Sequence, residues 1–277
     1  MTIISLTTIP SRFDKIGPTL ETLLAQKGGI SEIRLYIPRD YKRFPDYDGS
    51  LPPVPAGIDI HRCKQDFGPG TKVLPAAEEL RGTGQRILFC DDDRLYSSDW
   101  SSKLIEAGRR YPDRVICVIG WHLDKWLKVD SPRKQQPAAR FRPGWADLQY
   151  RGKRIAQQLA ARRLRPVHPK PARKPVAASG FVDVFGGYGG VLIDPDWLEG
   201  WASAIPDGFW AVDDIWLSGC LARRGVKIWA QEDLALAPAS AADRTDALFR
   251  SQFGGQGRDA LNISCIEHLR DTYDIWR

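Results

Sequence analysis

The chain has 277 residues, of which 43% are apolar and 27% charged, as expected for a soluble protein with one large folded domain. No stretch approaches the ~20 consecutive apolar residues of a membrane span, and the first residues lack the basic region and cleavage site of a signal peptide. The net charge of +6 is unevenly spread, because residues 131–180 carry thirteen lysines and arginines and one acid, Asp147. That segment therefore has a net charge of +12 and leaves −6 for the remainder.

Residues 1–130 alternate between strand-like and helix-like patterns. Apolar runs bounded by turn residues predict strands over 2–8, 32–38, 58–62, 86–90 and 114–119. Helical spacing and start signals predict helices over 18–26, 73–80 and 98–110. This order predicts an α/β fold, with a mostly parallel wound sheet flanked by helices.

The alternation stops at residues 131–180, a basic segment with seven prolines that we expect to be an insertion in the wound domain. Within it, the pattern predicts a helix over 155–164. Beyond it, strands are predicted over 181–185, 191–193 and 226–230. Helices are predicted over 195–204 and 213–224, followed by an irregular tail over 234–277.

The five cysteines are scattered, odd in number and free of the C-x-x-C spacing of metal and redox sites. Several lie in apolar runs, which predicts buried, reduced thiols. We therefore expect a cytoplasmic protein.

Three consecutive acids, Asp91, Asp92 and Asp93, follow the apolar run 87–90. Open α/β sheets bind ligands past the carboxyl ends of their strands, and three acids there repel one another unless a cation lies among them. Mg²⁺ or Mn²⁺ is commonly held by one or two carboxylates together with substrate phosphates. The motif therefore predicts a metal-assisted enzyme with a phosphate-bearing substrate, and a solvated acidic turn is the alternative. Alternation along an extended segment predicts Asp91 and Asp93 on one side and Asp92 on the other.

A second acidic pair, Asp213 and Asp214, begins a predicted helix. Acids are favoured at that end by the helix dipole, so the pair either caps the helix or supplies a base that takes a proton from a nucleophile. The upstream segment Gly186–Gly190 either lets a ligand approach the backbone or forms a bulge or turn.

Two cations and one histidine are further candidates. Lys72 ends a Gly/Pro turn, where backbone amides and a positive charge suit an anion, and Arg12 lies in the loop after the first strand. For both, an ordinary surface position is the alternative. The four histidines lack zinc spacing, and His268 is either a late metal ligand or an ordinary tail residue.

Taken in order, these motifs resemble those of GT-A-fold glycosyltransferases and are similar to the bacterial family 2 type. The matching segments are 7–12, 68–72, 89–93, 186–190 and 212–219. The resemblance implies a GT-A, Rossmann-like fold with three parts. Residues 1–130 would be the nucleotide-sugar-binding half, 131–180 a basic insertion, and 181–277 the acceptor and catalytic half with the C-terminal tail.

The resemblance also implies transfer of a sugar, with inversion, from a UDP- or GDP-linked donor to a glycan or lipid-linked acceptor. Mn²⁺ or Mg²⁺ would neutralise the diphosphate. Asp214 matches the second position of the family's Glu-Asp motif, which is the catalytic base of inverting members. Asp213 stands where the family has Glu, so Asp213 is the other candidate for the base. The metal ligands would be Asp91, Asp93 and His268. The residues at the nucleotide and diphosphate would be Thr8, Arg12, Lys72, Asp91 and Asp92.

Other functions remain open. A nucleotidyltransferase that makes the nucleotide sugar would favour a Gly-rich loop after the first strand, and Thr7–Arg12 has no glycine. The clustered lysines and arginines of residues 131–180, with Trp145 and Tyr150, would allow nucleic-acid binding. That function would leave the two carboxylate clusters unexplained. We therefore expect no nucleic acid. Instead, we expect the basic segment to contact an anionic glycan acceptor or an anionic membrane, which would place the protein peripherally at the inner face of the membrane.

Overall fold

The computed structural model describes residues 1–128, 131–162, 169–198, 200–246 and 257–277. In this part of the chain the strands are Thr2–Thr7 (β1), Ile30–Pro38 (β2), Asp59–Cys63 (β3), Arg86–Phe89 (β4), Arg114–Cys117 (β5), Gly120–Trp121 (β6), Arg140–Phe141 (β7), Val176–Ala178 (β8), Gly180–Val182 (β9), Val184–Phe185 (β10), Val191–Ile193 (β11) and Lys227–Ala230 (β12). The α-helices are Gly17–Leu24 (α1), Leu74–Leu80 (α2), Trp100–Arg110 (α3), Leu148–Ala160 (α4), Asp213–Arg223 (α5) and Arg258–Tyr273 (α6).

Eight of these strands form one sheet in the order β3-β2-β1-β4-β11-β5-β12-β9. The pairs β3/β2, β2/β1, β1/β4 and β5/β12 are parallel. In contrast, β11 runs antiparallel to both β4 and β5, and β9 runs antiparallel to β12. Six strands therefore point the same way and two are reversed. The prediction of a mostly parallel wound sheet flanked by helices is confirmed.

Apolar layers cover both faces of the sheet. Ile87 and Phe89 of β4 face the layer that contains side chains of α2, α5 and α6, whereas Leu88 faces the layer with α1 and α3. A strand covered on both faces has no polar side, which explains the continuous apolar run before the three acids. Burying side chains of this size stabilises the fold by roughly 1.5–3 kcal/mol each.

The irregular tail predicted over 234–277 is wrong where α6 forms. Leu261, Cys265 and Leu269 recur every fourth residue and are buried against α5, with Ile266 beside them. That spacing is typical of a helix face and was present in the sequence. With 16 residues, α6 is the longest described helix, and no described helix is long and apolar enough to cross a bilayer.

The helix predicted over 195–204 is also wrong. The chain forms two short 3-10 turns there, Pro195–Trp197 and Gly200–Ser203. Asp194 accepts a hydrogen bond from the backbone N–H of Asp196 at 3.0 Å, which closes a local turn. Such a local bond competes with helical pairing, and Gly200 further weakens a continuous helix.

The insertion forms secondary-structure elements of its own, outside the eight-stranded sheet. β7 pairs antiparallel with β8, and α4 lies between them in the chain. The helix begins at Leu148 and not at the predicted residue 155, because Asp147 caps it by accepting from the backbone N–H of Tyr150 at 2.9 Å. Residues 163 and 164 of the predicted helix lie outside the described residues.

Candidate active site

A cavity of about 400 Å³ opens beyond the carboxyl ends of β1 and β4. These strands are parallel neighbours, so the residues that follow them meet at one edge of the sheet. The first turn of α5 reaches the same cavity. Its wall includes the predicted residues Thr8, Arg12, Lys72, Asp91, Asp92, Asp93, Asp213 and Asp214.

The three acids after β4 do not continue the strand. The chain turns at Asp92 and Asp93, so strand alternation does not apply, and the prediction that Asp92 points away from Asp93 is wrong. Arg12 contacts both, with Nη1 2.6 Å from Asp92 Oδ1 and 3.3 Å from Asp93 Oδ2. Thr8 Oγ1 also donates to Asp92 Oδ2 at 2.5 Å. Two residues of the loop after β1 thus hold Asp92 in place.

The negative charge of Asp93 is less fully neutralised by its neighbours than that of Asp92. Arg94 Nε lies 3.2 Å from Asp93 Oδ1, yet that buried oxygen has no hydrogen-bond partner among the described residues. Burial, together with the charges of Asp91 and Asp92, raises the pKa of Asp93 to about 7. This excess of negative charge is what a bound cation would relieve.

Lys72 joins the two acidic motifs. Its Nζ lies 2.9 Å from Asp91 Oδ1 and 3.2 Å from Asp213 Oδ2, and its side chain is buried. Burial alone lowers the pKa of Lys72, but Asp213, Asp91 and Asp214 together raise it well above its ordinary value, so the ammonium stays charged. Burial raises the pKa of Asp91, but the charge and hydrogen bond of Lys72 together with the charges of Arg94 and Arg12 outweigh it, so the pKa of that carboxyl is lowered. The Ser5 hydroxyl donates to the Lys72 carbonyl at 2.6 Å and ties this turn to β1.

The two acids of α5 have different surroundings. Asp213 is 1% exposed and faces Lys72, whereas Asp214 is partly exposed and accepts from the Gly187 backbone N–H at 3.1 Å. Burial, followed by the charge of Asp213, raises the pKa of Asp214 to about 7. Asp214 is therefore a cavity carboxylate that can take up a proton near neutral pH.

The Gly-rich segment makes room for side chains of the protein itself. A Cβ on Gly187 would lie 2.7 Å from both Asp214 Oδ1 and Lys72 Nζ. Gly190 has a φ of +104°, and a Cβ there would lie 2.3 Å from the Trp100 indole. Residues 187–189 form a 3-10 turn, and the approach of a ligand to this backbone stays a prediction.

One side of the cavity is aromatic. Lys125 Nζ lies 4.0 Å from the ring centroid of Trp121 and 4.5 Å from that of Trp126, and Tyr188 stacks on Trp121 with 6.3 Å between centroids. Aromatic faces of this kind pack well against the apolar face of a sugar ring.

Sequence reasoning missed the pair Arg94 and Asp243, which also line the cavity. Arg94 Nη2 lies 3.2 Å from Asp243 Oδ1, and the guanidinium lies 5.2 Å from the Tyr188 ring centroid. The position of Arg94 directly after the acids was a usable signal. No sequence signal marked Asp243, because only the tertiary path of the C-terminal tail brings this residue to the site.

His268 lies outside the described cavity wall, so the structure does not bring it to the other predicted metal ligands. Its ring stacks on Trp216, with 6.3 Å between centroids, and also contacts Phe209 and Tyr273. It packs there because α6 lies against α5.

Within the described residues, no three His, Cys, Asp or Glu side chains are arranged to hold a metal by themselves. A Mg²⁺ or Mn²⁺ site completed by ligand phosphates needs only one or two carboxylates. Asp93, with its buried oxygen that lacks a hydrogen bond, and the neighbouring Asp91 are the residues whose chemistry fits such a site.

No protein-family model matches the sequence, and no curated protein matches it. Solved structures do match at low identity. The structure of GalNAc-T7 with UDP, GalNAc and Mn²⁺ matches at 10% identity and a TM-score of 0.51, covering 98% of this chain and 47% of that one. The structure of S. aureus TarS 1–349 in complex with UDP matches at 9% identity and 0.40, covering 84% and 59%. A second S. aureus TarS structure matches at 16% identity and 0.28, covering 42% and 20%.

The chain thus spans about half of the GalNAc-T7 structure, somewhat more than half of TarS 1–349 and a fifth of the other TarS structure. The GalNAc-T7 match extends over nearly the whole of this chain and agrees with the mixed eight-stranded sheet. Similarity to the bacterial family 2 type stays a prediction. What the comparison establishes is the fold: the chain has the GT-A fold of glycosyltransferases.

Proposed function

We propose that this protein is a glycosyltransferase that moves a sugar from a nucleoside-diphosphate donor to an acceptor hydroxyl, with inversion at the anomeric carbon. The observation that carries the proposal is the position of Lys72, which links the acids after β4 to the acids of α5. A set of residues suited to a diphosphate and a residue suited to act as a base therefore share one cavity. The fold shared with GalNAc-T7 supports the same class of reaction.

The donor would lie against the loop after β1 and the turn after β4. Arg12 and Arg94 supply positive charge for the diphosphate, and the carboxylates of Asp91 and Asp92 can accept from ribose hydroxyls or base N–H groups. Thr8 and Lys72 position these acids. GalNAc-T7 was solved with UDP, and we infer a UDP- or GDP-linked sugar as the donor class.

We assign Asp91 and Asp93 as the protein ligands of Mn²⁺ or Mg²⁺, shared with diphosphate oxygens. The raised pKa of Asp93 and its buried oxygen without a hydrogen bond support this assignment, as does the Mn²⁺ in the GalNAc-T7 structure. When bound, such an ion neutralises the charge that develops on the leaving diphosphate.

Asp214 would act as the base. An acceptor hydroxyl is a poor nucleophile at neutral pH, and a carboxylate with a pKa near 7 is well matched to remove its proton. As the hydroxyl oxygen bonds to the anomeric carbon, the bond to the diphosphate oxygen breaks and the proton passes to Asp214. Asp213 is almost fully buried against Lys72, so it positions the lysine and is not the base. Attack opposite the leaving group inverts the anomeric carbon.

We also propose a cytoplasmic location. All five cysteines are free thiols, and Cys90, Cys117, Cys220 and Cys265 are buried, as is common where thiols are kept reduced.

A thermal-shift panel tests the donor class. The full chain is melted with UDP, GDP, ADP, CDP and the corresponding nucleotide sugars, each with and without Mn²⁺, and UMP serves as the control that lacks the diphosphate. We expect one nucleoside diphosphate to raise the melting temperature by several degrees, and to do so only with Mn²⁺, since binding stabilises the folded state by mass action. If no nucleotide shifted the melting curve in either condition, the proposed function would be wrong. An equal shift without Mn²⁺ would remove the metal from it.

A further inference from the structure

Helix α4 of the insertion turns its apolar face to solvent and its polar face to the protein body. Leu148, Ile155 and Leu159 of α4 are separated by seven and four residues, which places them on one helix face. They are 78%, 53% and 72% exposed. Tyr150 and Gln157 are less exposed, so the side that packs on the protein is the polar one. An apolar face turned to solvent indicates that another surface covers it.

Exposed apolar side chains are concentrated in this one region. Among the described residues, eight large apolar side chains are exposed, and five of them lie between residues 141 and 159. One is Trp145, which is 75% exposed in the short turn that leads into α4. A tryptophan beside an amphipathic helix is typical of proteins that lie at the interface between a bilayer and water.

Positive charge borders this apolar face on one side. Arg151, three residues after Leu148, is exposed beside the face, Lys153 is exposed further round α4, and Arg162 follows the helix end. The single acid of residues 131–180, Asp147, is buried and occupied as the helix cap, so it does not offset the bases at the surface. The segment keeps its net charge of +12.

The insertion is attached beside the cavity. The ring of His122, which follows the cavity residue Trp121, contacts the carbonyl of Ala139 at 3.2 Å, and the backbone N–H of Leu236 donates to the carbonyl of Arg173 at 2.8 Å. The insertion therefore joins the protein body next to Trp121, on the aromatic side of the cavity.

We propose that α4 docks on an anionic lipid bilayer, through a docking face that consists of Trp145, Leu148, Ile155 and Leu159, with the base Arg151 at its border and the longer reach of Lys153 from further round the helix. The apolar side chains enter the interface while the bases meet anionic headgroups. The docked protein would take a lipid-linked acceptor from the same membrane. This last point rests on the proposed function, whereas the docking does not.

Charge and chemistry favour the bilayer over two other occupants. A second copy of the chain would bring two segments of +12 together, which mutual repulsion opposes. Nucleic acid would neutralise the bases but would leave Leu148, Ile155 and Leu159 in water, because nucleobases stack on aromatic rings and not on aliphatic side chains.

Vesicle co-sedimentation of the full chain tests the docking. The vesicles are pure phosphatidylcholine or phosphatidylcholine with a third of phosphatidylglycerol. We expect binding to the anionic vesicles alone, and about tenfold weaker binding for the triple variant Leu148→Gln/Ile155→Gln/Leu159→Gln. The pair Arg151→Gln/Lys153→Gln should also bind more weakly, and should lose the salt sensitivity that remains in the triple variant.

Matched variants on other surfaces serve as controls. Leu51→Gln removes an exposed leucine, and Arg109→Gln/Arg110→Gln removes two adjacent exposed bases of α3; both should bind vesicles as the parent does. The three replaced apolar side chains of α4 are more than half exposed, and Arg151 and Lys153 are exposed as well, so all variants should melt as the parent does. Quenching of Trp145 by brominated lipid, lost in Trp145→Phe, would report its insertion directly.

Unchanged vesicle binding in the triple variant would overturn the proposal. So would a dimer, measured by light scattering, that this variant dissociates, or tight binding of RNA without any binding of anionic vesicles. The nucleotide-dependent thermal shift should persist in every docking variant. Absence of vesicle binding by the parent, with its thermal shift intact, would contradict only the membrane proposal, whereas absence of the shift in the parent would contradict only the proposed function.

Discussion

The two acidic motifs of the cavity contain the same side chain in two electrostatic environments. After β4, Arg12, Arg94 and Lys72 surround three acids, and the backbone turns so that the carboxylates crowd together. At the start of α5, Lys72 forms an ion pair with Asp213, whereas Asp214 accepts a hydrogen bond from the backbone N–H of Gly187. The first motif is a charged surface for a ligand, and the second isolates one carboxylate.

This difference shows how environment separates roles among identical residues. Asp93 and Asp214 both have a pKa raised to about 7, and in both burial is the largest cause. For Asp93 the other causes are two acids in its own turn, which a cation would offset. For Asp214 the second cause is a neighbour already paired with Lys72. The same raised pKa therefore accompanies two different proposed roles, a metal ligand in one place and a base in the other.

The largest effect is expected at the first motif. Asp93→Ala should abolish both Mn²⁺-dependent nucleotide binding and metal-dependent hydrolysis of the cognate nucleotide sugar, because it removes one of the two proposed metal ligands. Calorimetry with and without Mn²⁺ measures the binding. Asp99→Ala, which removes a partly exposed acid just before α3 and outside the cavity wall, should bind normally. Full-strength nucleotide binding by Asp93→Ala would mean that the metal site lies elsewhere.

At the second motif the effect should fall on transfer and spare donor binding. Asp214→Asn should lower the turnover number by about 10²–10⁴, the usual contribution of a positioned base, while the nucleotide affinity stays within a few-fold. Steady-state kinetics and calorimetry on the same preparation separate the two. Undiminished turnover would exclude Asp214 as the base and direct attention to Asp213.

A substitution at Gly187 that crowds Asp214 should also lower turnover, but by less than Asp214→Asn does. In Gly187→Ala the new Cβ would lie 2.7 Å from the ends of Asp214 and Lys72, so both side chains must shift. We expect roughly a 10–100-fold fall in turnover with the fold intact, since a shift of about 1 Å in a catalytic group has effects of this size. Gly208→Ala is the matched control, because a Cβ there meets nothing within 4 Å. Wild-type turnover in Gly187→Ala would show that the position of Asp214 is not critical.

The wound sheet, and the meeting of the loop after β1 with the acids after β4, could be predicted from the sequence. Apolar runs predict β1 and β4, and parallel neighbours bring their carboxyl ends to the same edge of the sheet. The approach of Asp214 to that edge could be seen only in the structure, because Asp214 begins α5 and does not follow either strand.

The geometry of the acids could not be predicted, because distant segments impose it. The Ser240 N–H donates to the Asp93 carbonyl at 2.8 Å, and Arg12 reaches across from the loop after β1. These contacts turn the chain where local alternation predicts an extended segment. Asp243 enters the cavity for the same reason, as part of a tail whose path depends on tertiary contacts. Local patterns carry no information on such pairings.

The smallest effect concerns stability. A pKa of about 7 for Asp214, against about 3.9 in an unfolded chain, means that the folded state binds the extra proton between these values. The contribution of Asp214 to stability is therefore lost as pH rises from about 4 to 7. Asp214→Asn resembles the protonated form, so its melting temperature should match the parent's at about pH 4 or below and exceed it at pH 8, by about 2–4 °C for each kcal/mol relieved. Asp14→Asn, at an exposed position, should show no such divergence. A constant difference between parent and Asp214→Asn across this range would contradict the isolation of Asp214, and with it the contrast between the two motifs.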